Sequence, residues 1–111
     1  MATANTAAKN EAASDFAADY STATLTIKAG ATALAVHTLA GFGAPTAGLI
    51  TANAIAGVTN AATGTADVAE LTAAGKTYTL TVGTSGAEVN INDLDYVAGG
   101  DSVVNSLTVQ F

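Results

Sequence analysis

The sequence contains no cysteine, no tryptophan, one proline and only three basic residues among 111. Each shortage closes a class of protein. Without cysteine there is neither a disulfide scaffold nor a thiolate metal site, and the redox compartment stays open. A single proline excludes collagen-like architecture. Lys9, Lys28 and Lys76 are scattered against nine acidic residues, for a formal net charge of -6. The clustered cations that track a phosphate backbone are therefore missing, and the surface should repel nucleic acid. The same sign disfavours anionic membrane surfaces. Long apolar runs are missing as well. Between Ala31 and Ile50 the large apolar residues Leu34, Val36, Leu39, Phe42, Leu49 and Ile50 are interrupted by His37, Gly41, Gly43, Pro45 and Gly48, so no transmembrane helix is expected. The opening MATANTAAKNEAASDF has no apolar core of the kind a secretory signal needs.

Alanine dominates what is present. Half the residues are formally hydrophobic, but aromatics make up only 5%, so the core must be thin. The length allows one domain, which can bury about two thirds of its extended surface. From Thr6 to Tyr20 an alanine-rich segment carries Ala8, Ala12, Phe16 and Tyr20 at four-residue spacing, which predicts a short helix docked by its two rings. From Ser21 the period becomes two. Ala23, Leu25 and Ile27 in TATLTIK, and Leu34 and Val36 in ALAVHTL, are expected to face inward in a hairpin that turns at Ala29 to Ala31. GLITANAIA and ADVAELT give two weaker strands. TYTLTV places Tyr78, Leu80 and Val82 on one face, and AEVNIN does the same for Ala87, Val89 and Ile91. At the end of the sequence Val103, Leu107, Val109 and Phe111 are expected inward. Turns fall at 57–64, 73–76, 83–86 and 99–101, where glycine, serine, asparagine and aspartate tolerate unusual backbone angles. The fold class is thus mainly β: a single small antiparallel β-sandwich or barrel of about seven strands over residues 21–111, with a short N-terminal helix or arm over residues 1–20.

Few residues invite chemistry. His37, the only histidine, falls on the face opposite Leu34 and Val36 and reads as a surface or interface side chain; a general base is the alternative. Asp93 and Asp95 share a side with Asn90 and Asn92 nearby, but about three oxygens fall short of the six to eight that calcium takes, so a solvated strand-to-turn edge is expected. TGTADVAE and VGTSGAEVN contain neither GxGxxG nor the P-loop lysine and read as turns. Tyr20, Tyr78 and Tyr96 read as packing units. No catalytic residue, metal or cofactor is expected. Thr24, Thr26, Thr77, Thr79, Thr81 and Thr108 form uncharged outward faces, and no charged residue occurs from Ala29 to Ala66. Such faces either meet a partner or are ordinary wet strands. Phe16, Tyr20, Leu39, Phe42, Leu49 and Ile50 are the candidate interface residues.

The segments ATLTIKAG, FGAPTAGLITANAI, ATGTADVAEL, VGTSGAEVNIN and YVAGGDSVVNSLTVQF, following an alanine-rich helix, resemble in content and order a family of small tailed-phage and prophage virion proteins. Where other members carry an aromatic-rich strand, this chain has ADVAELT and a short AAGK turn, so no ligand surface is carried over there. The resemblance implies a non-enzymatic virion structural protein, in the first place a capsid decoration (cement) protein. It would be made in the host cytoplasm and then sit on the head surface, with the major capsid protein and copies of itself, as in a trimer, for partners. The other implied role is a tail- or fibre-associated adhesion module. Under the decoration role, residues Met1 to Tyr20 would be an arm anchored on a neighbour by Phe16 and Tyr20, and residues 29–66 a contact surface.

Overall fold

Helix formation begins at Asn5, whose side-chain oxygen accepts the Ala8 amide at 2.9 Å and caps the first turn. A computed structural model describes residues 5–111; the part of the expected arm at 1–4 lies outside the described residues. Helix α1 spans Thr6–Asp19 and is followed by twelve strands: β1 (Thr24–Ala29), β2 (Thr32–Thr38), β3 (Leu49–Thr51), β4 (Val58–Thr59), β5 (Gly64–Thr65), β6 (Val68–Ala73), β7 (Lys76–Leu80), β8 (Val82–Gly83), β9 (Val89–Ile91), β10 (Asp95–Tyr96), β11 (Asp101–Ser102) and β12 (Val104–Gln110). Seven of these are three residues or longer and make up most of the sheets; of the five two-residue strands, β8 completes a main sheet and the other four form short ladders.

Two four-stranded sheets dominate, ordered β2-β1-β6-β7 and β3-β12-β9-β8, with two-residue ladders β10-β5 and β11-β4 beside them. The fold is mainly β with one short helix, and its sheets pack around one core in the manner of a small β-sandwich. Pairing is antiparallel throughout except between β8 and β9. The TYTLTV run leaves the first sheet after Leu80 and enters the second at Val82, so one continuous segment ties the two sheets together.

The hairpins follow their turn residues. Between β6 and β7 the two-residue turn Ala74–Gly75 has φ of 51° and 78°, the doubly positive pair of a type I′ turn, whose twist suits a hairpin. Between β1 and β2 the turn contains Gly30 at φ 59°. In β1, Leu25 and Ile27 are fully buried and Ala23 just before it is nearly so, as their alternation predicts.

Two strands depart from simple alternation, each through a bulge. Ile27 pairs with Ala35 and Lys28 with Ala33, so Leu34 is the extra residue in β2. The bulge lets Leu34 and Ala35 both face the core and exchanges the faces beyond it. Val36, expected inward, points outward and is 50% exposed, whereas His37, expected at the surface, is 0% exposed. In β12, Val104 pairs with Ile91 and Ser106 with Asn90, leaving Asn105 as the extra residue. Val104 therefore turns inward, and Val103, expected in the core, is exposed.

Helix α1 docks on the body, but its buried stripe is Ala13, Phe16 and Tyr20 with Ala17 partly covered; Ala8 and Ala12 face solvent. The spacing of four drifts around a helix of 3.6 residues per turn, so only the ring-bearing end of the expected stripe meets the core. Phe16 stacks on Tyr20 at 4.6 Å between centroids and meets Tyr78, Phe111 and Phe42 at 5.0, 5.3 and 5.7 Å. Most of the chain's few aromatic rings are thus gathered under one helix. Gly48 makes room for it. A β-carbon there would lie 2.7 Å from Lys9 Cβ and 2.8 Å from the Phe111 carbonyl oxygen, while its amide donates to Asn10 Oδ1 at 2.8 Å.

Candidate functional site

The outward face of the sheet β2-β1-β6-β7 follows from the register. Thr24 pairs with Thr38 and Thr72, Thr26 with Val36 and Glu70, and Thr72 and Glu70 in turn with Thr77 and Thr79. Directly opposed residues share a face. Val36 is thereby set among six threonines, and no other element among the described residues covers it. Lys28 Nζ and Glu70 Oε1 are 3.1 Å apart at its margin, so the only charges within the grid cancel locally. The bulge at Leu34 is what sends Val36 to this side.

The expected interface residues are divided differently. Phe16, Tyr20, Leu39 and Ile50 are buried within the chain's own fold. Contrary to the expectation of partner contacts, their side chains make core contacts. An alanine-rich interior has little other apolar bulk, so the large side chains are drawn into it. Phe42 is half-buried against Phe16. Leu49 alone of the six is exposed, at 39%. Phe16 and Tyr20 anchor α1 to its own body rather than to a neighbour. Val97, which the sequence pattern does not single out, and Val103, which it places inward, are exposed large apolar residues.

His37 lies at the centre of a buried polar network. Its Nδ1 is 2.9 Å from the Ala56 carbonyl oxygen, and its Nε2 is 2.8 Å from Ser102 Oγ, which is in turn 2.9 Å from Tyr96 Oη. A carbonyl only accepts, so Nδ1 carries the hydrogen, and in the tautomer protonated at Nδ1 alone Nε2 accepts from Ser102. Ser102 then accepts from Tyr96, so each hydrogen of the network is donated once. The Ser–His spacing resembles a nucleophile and its base, but His37 and Ser102 are 0% and 1% exposed, so substrate has no path to the hydroxyl. The network instead bolts β2 to the Ala56 loop and to β10 and β11. Sequence reasoning missed it because 65 residues separate His37 from Ser102 and because the bulge reverses His37's face.

Burial raises the Tyr96 hydroxyl above the ordinary tyrosine value of 10.0; the Ser102 hydrogen bond offsets part of this and the nearby Asp93 charge adds to it. Tyr20 is also raised, by burial first and then by Tyr78 and Asp19, and its hydroxyl has no hydrogen-bond partner. Both phenols are held neutral in the folded state. The stability this confers is complete below 10.0 and is lost as pH rises through the folded-state values, where unfolding releases protons. The urea midpoint is expected to fall as pH rises above the ordinary tyrosine value of 10.0, and Tyr96→Phe to reduce that fall.

Asp93 Oδ1 accepts the Asp95 amide at 2.9 Å, and Asp95 Oδ1 accepts from Thr65 Oγ1 at 3.3 Å. Both carboxylates thus serve the turn and the β5-β10 pairing. Among the described residues no group of three or more His, Asp or Glu side chains is placed to hold a metal ion, and no helix is long and apolar enough to cross a membrane. Compared with models of known families, with curated proteins and with solved structures, the chain matches none.

Proposed function

We propose that this chain is a non-enzymatic structural protein of a tailed-phage virion, a decoration protein that stabilises the head through contacts repeated by the shell's symmetry. The observation that carries the reading is the uncovered threonine face around Val36, β-branched and locally neutral. Burying it strips water from hydroxyls that can rebond and from methyl groups that gain by burial, while the only ion pair on it is already made.

Size sets how such a face can work. Four strands and about five residues of length present roughly 300 Å², well below the roughly 800 Å² per partner of a stable one-to-one complex. One contact of this kind binds weakly. Many copies on a closed lattice, each also touching its neighbours, turn weak contacts into measurable stabilisation of the shell. The partners under this reading are the major capsid protein and further copies of the chain, and the location is the outer surface of the head.

The test is binding to emptied, expanded heads of tailed phages. The full chain should saturate them at a fixed stoichiometry and raise their disruption temperature. Failure to bind heads in any state, or recovery with tails alone, overturns the reading in favour of a tail- or fibre-associated module.

A further inference from the structure

Sheets end in edges, and an exposed row of unpaired amides and carbonyls invites another strand. The longer edge strands of this chain differ in how they are protected. The β2 edge is bulged at Leu34, whose carbonyl accepts the Ala61 amide at 2.7 Å. The β3 edge is covered by the preceding loop, with the Gly43 amide on the Thr51 carbonyl and Thr46 and Leu49 exchanging bonds. By contrast β7 pairs with β6 on one side, and no bridge or backbone bond from elsewhere in the described residues reaches its other side. It has no bulge and no proline, and Thr77 to Leu80 carries no charge.

The register says which groups are free. A two-residue turn makes Ala73 and Lys76 a hydrogen-bonded pair, so by alternation Leu71/Tyr78 and Ala69/Leu80 are hydrogen-bonded too. The amides and carbonyls of Thr77 and Thr79 therefore point away from β6. Between them stands Tyr78, 45% exposed although Phe16 and Tyr20 hold its ring edge-on at 5.0 and 5.3 Å. An aromatic side chain already fixed by its neighbours loses little entropy when a partner covers it.

We infer that β7 is a pairing edge and that its occupant is the β7 strand of a second copy of this chain, antiparallel and centred on Tyr78. Thr77 of one copy then bonds with Thr79 of the other on both sides of a two-fold axis, the two exposed Tyr78 rings meet at the axis, and the four-stranded sheets join as one of eight strands. Charge selects the antiparallel direction. Lys76 stands at one end of β7, and the Glu88 carboxylate at the other end accepts from the Thr81 amide at 3.1 Å. Antiparallel pairing brings each Lys76 toward the other copy's Glu88, whereas parallel pairing would place Lys76 beside Lys76. The Asp19 contact of Lys76, 3.9 Å with both side chains more than 60% exposed, is too weak to hold the lysine elsewhere.

This pairing is independent of any shell, because it uses the sheet edge and leaves the Val36 face open. It is tested by sedimentation equilibrium of the full chain in the absence of heads. Wild type should pass from monomer to dimer with rising concentration. Thr79→Pro, which removes an outward-pointing amide where an edge strand tolerates proline, should raise the dimer dissociation constant at least about tenfold. Lys76→Glu and Glu88→Lys should each weaken the dimer several-fold, and the double exchange should restore much of the loss; this arm decides the matter if Thr79→Pro unfolds. A chain that stays monomeric to about 1 mM, a trimer, or a dimer indifferent to these substitutions would overturn the inference. A dimer that forms while no head is bound would leave the edge pairing standing and remove only the decoration role.

Discussion

Replacing His37 with alanine is expected to lower the free energy of unfolding by about 3–5 kcal/mol, among the larger effects a single substitution can have. The imidazole fills space in a fully buried site and holds three polar groups at once: the Ala56 carbonyl and, directly or in sequence, the Ser102 and Tyr96 hydroxyls. Alanine leaves a cavity and strands those groups away from water. A domain of this length has a total stability of about 5–15 kcal/mol, so the variant should sit near its folding threshold. The urea midpoint should fall with little change in slope. If the loss comes largely from stranded hydroxyls, the triple variant His37→Ala, Ser102→Ala, Tyr96→Phe should recover part of it, because it removes those hydroxyls while the cavity at position 37 stays the same. Equal instability in the single and triple variants would mean that shape, not hydrogen bonding, dominates.

The second large effect is expected at Phe16. Its ring is the hub of the aromatic cluster, within 6 Å of Tyr20, Phe42, Tyr78 and Phe111. Phe16→Ala should cost about 3–5 kcal/mol, and the helix should suffer most. A 14-residue helix is marginal by itself, so α1 depends on this docking. Circular dichroism should show helical signal lost at a lower denaturant concentration than the strand signal. Simultaneous loss of both would place α1 within the same cooperative unit as the sheets.

Much of the fold is legible in the sequence because one-sided burial writes a period of two. Leu25 and Ile27 in β1, and Val89 and Ile91 in β9, show that period and are fully buried. The turns are legible for a similar reason, since Gly30, Gly75, Gly86 and Gly99 all stand at positive φ where the sequence places loops. The misreadings around Val36, His37, Val103 and Val104 share one cause. A bulge adds a single residue and reverses every face beyond it, and neither Leu34 nor Asn105 differs in type from its neighbours in a way that announces one. The site suffered most from this. Threonines on β1 and β7 were visible as an outward set, but the place of Val36 among them depends on the bulge. The partnership of His37 with Ser102 depends on contacts between segments far apart in the chain. Of the six candidate interface residues, Phe16, Tyr20, Leu39 and Ile50 are drawn inward because a chain with so few large apolar groups places that bulk in its core.

The decoration role proposed above works through the uncovered neutral sheet face around Val36. Its most direct test compares wild type with the double variant Val36→Glu, Thr72→Glu for saturation of emptied, expanded heads. Both positions are exposed, so the thermal midpoint should be nearly unchanged. The variant's affinity for heads should fall at least about tenfold as charge enters the contact. Saturation of heads by the double variant at the same concentration as wild type would contradict it.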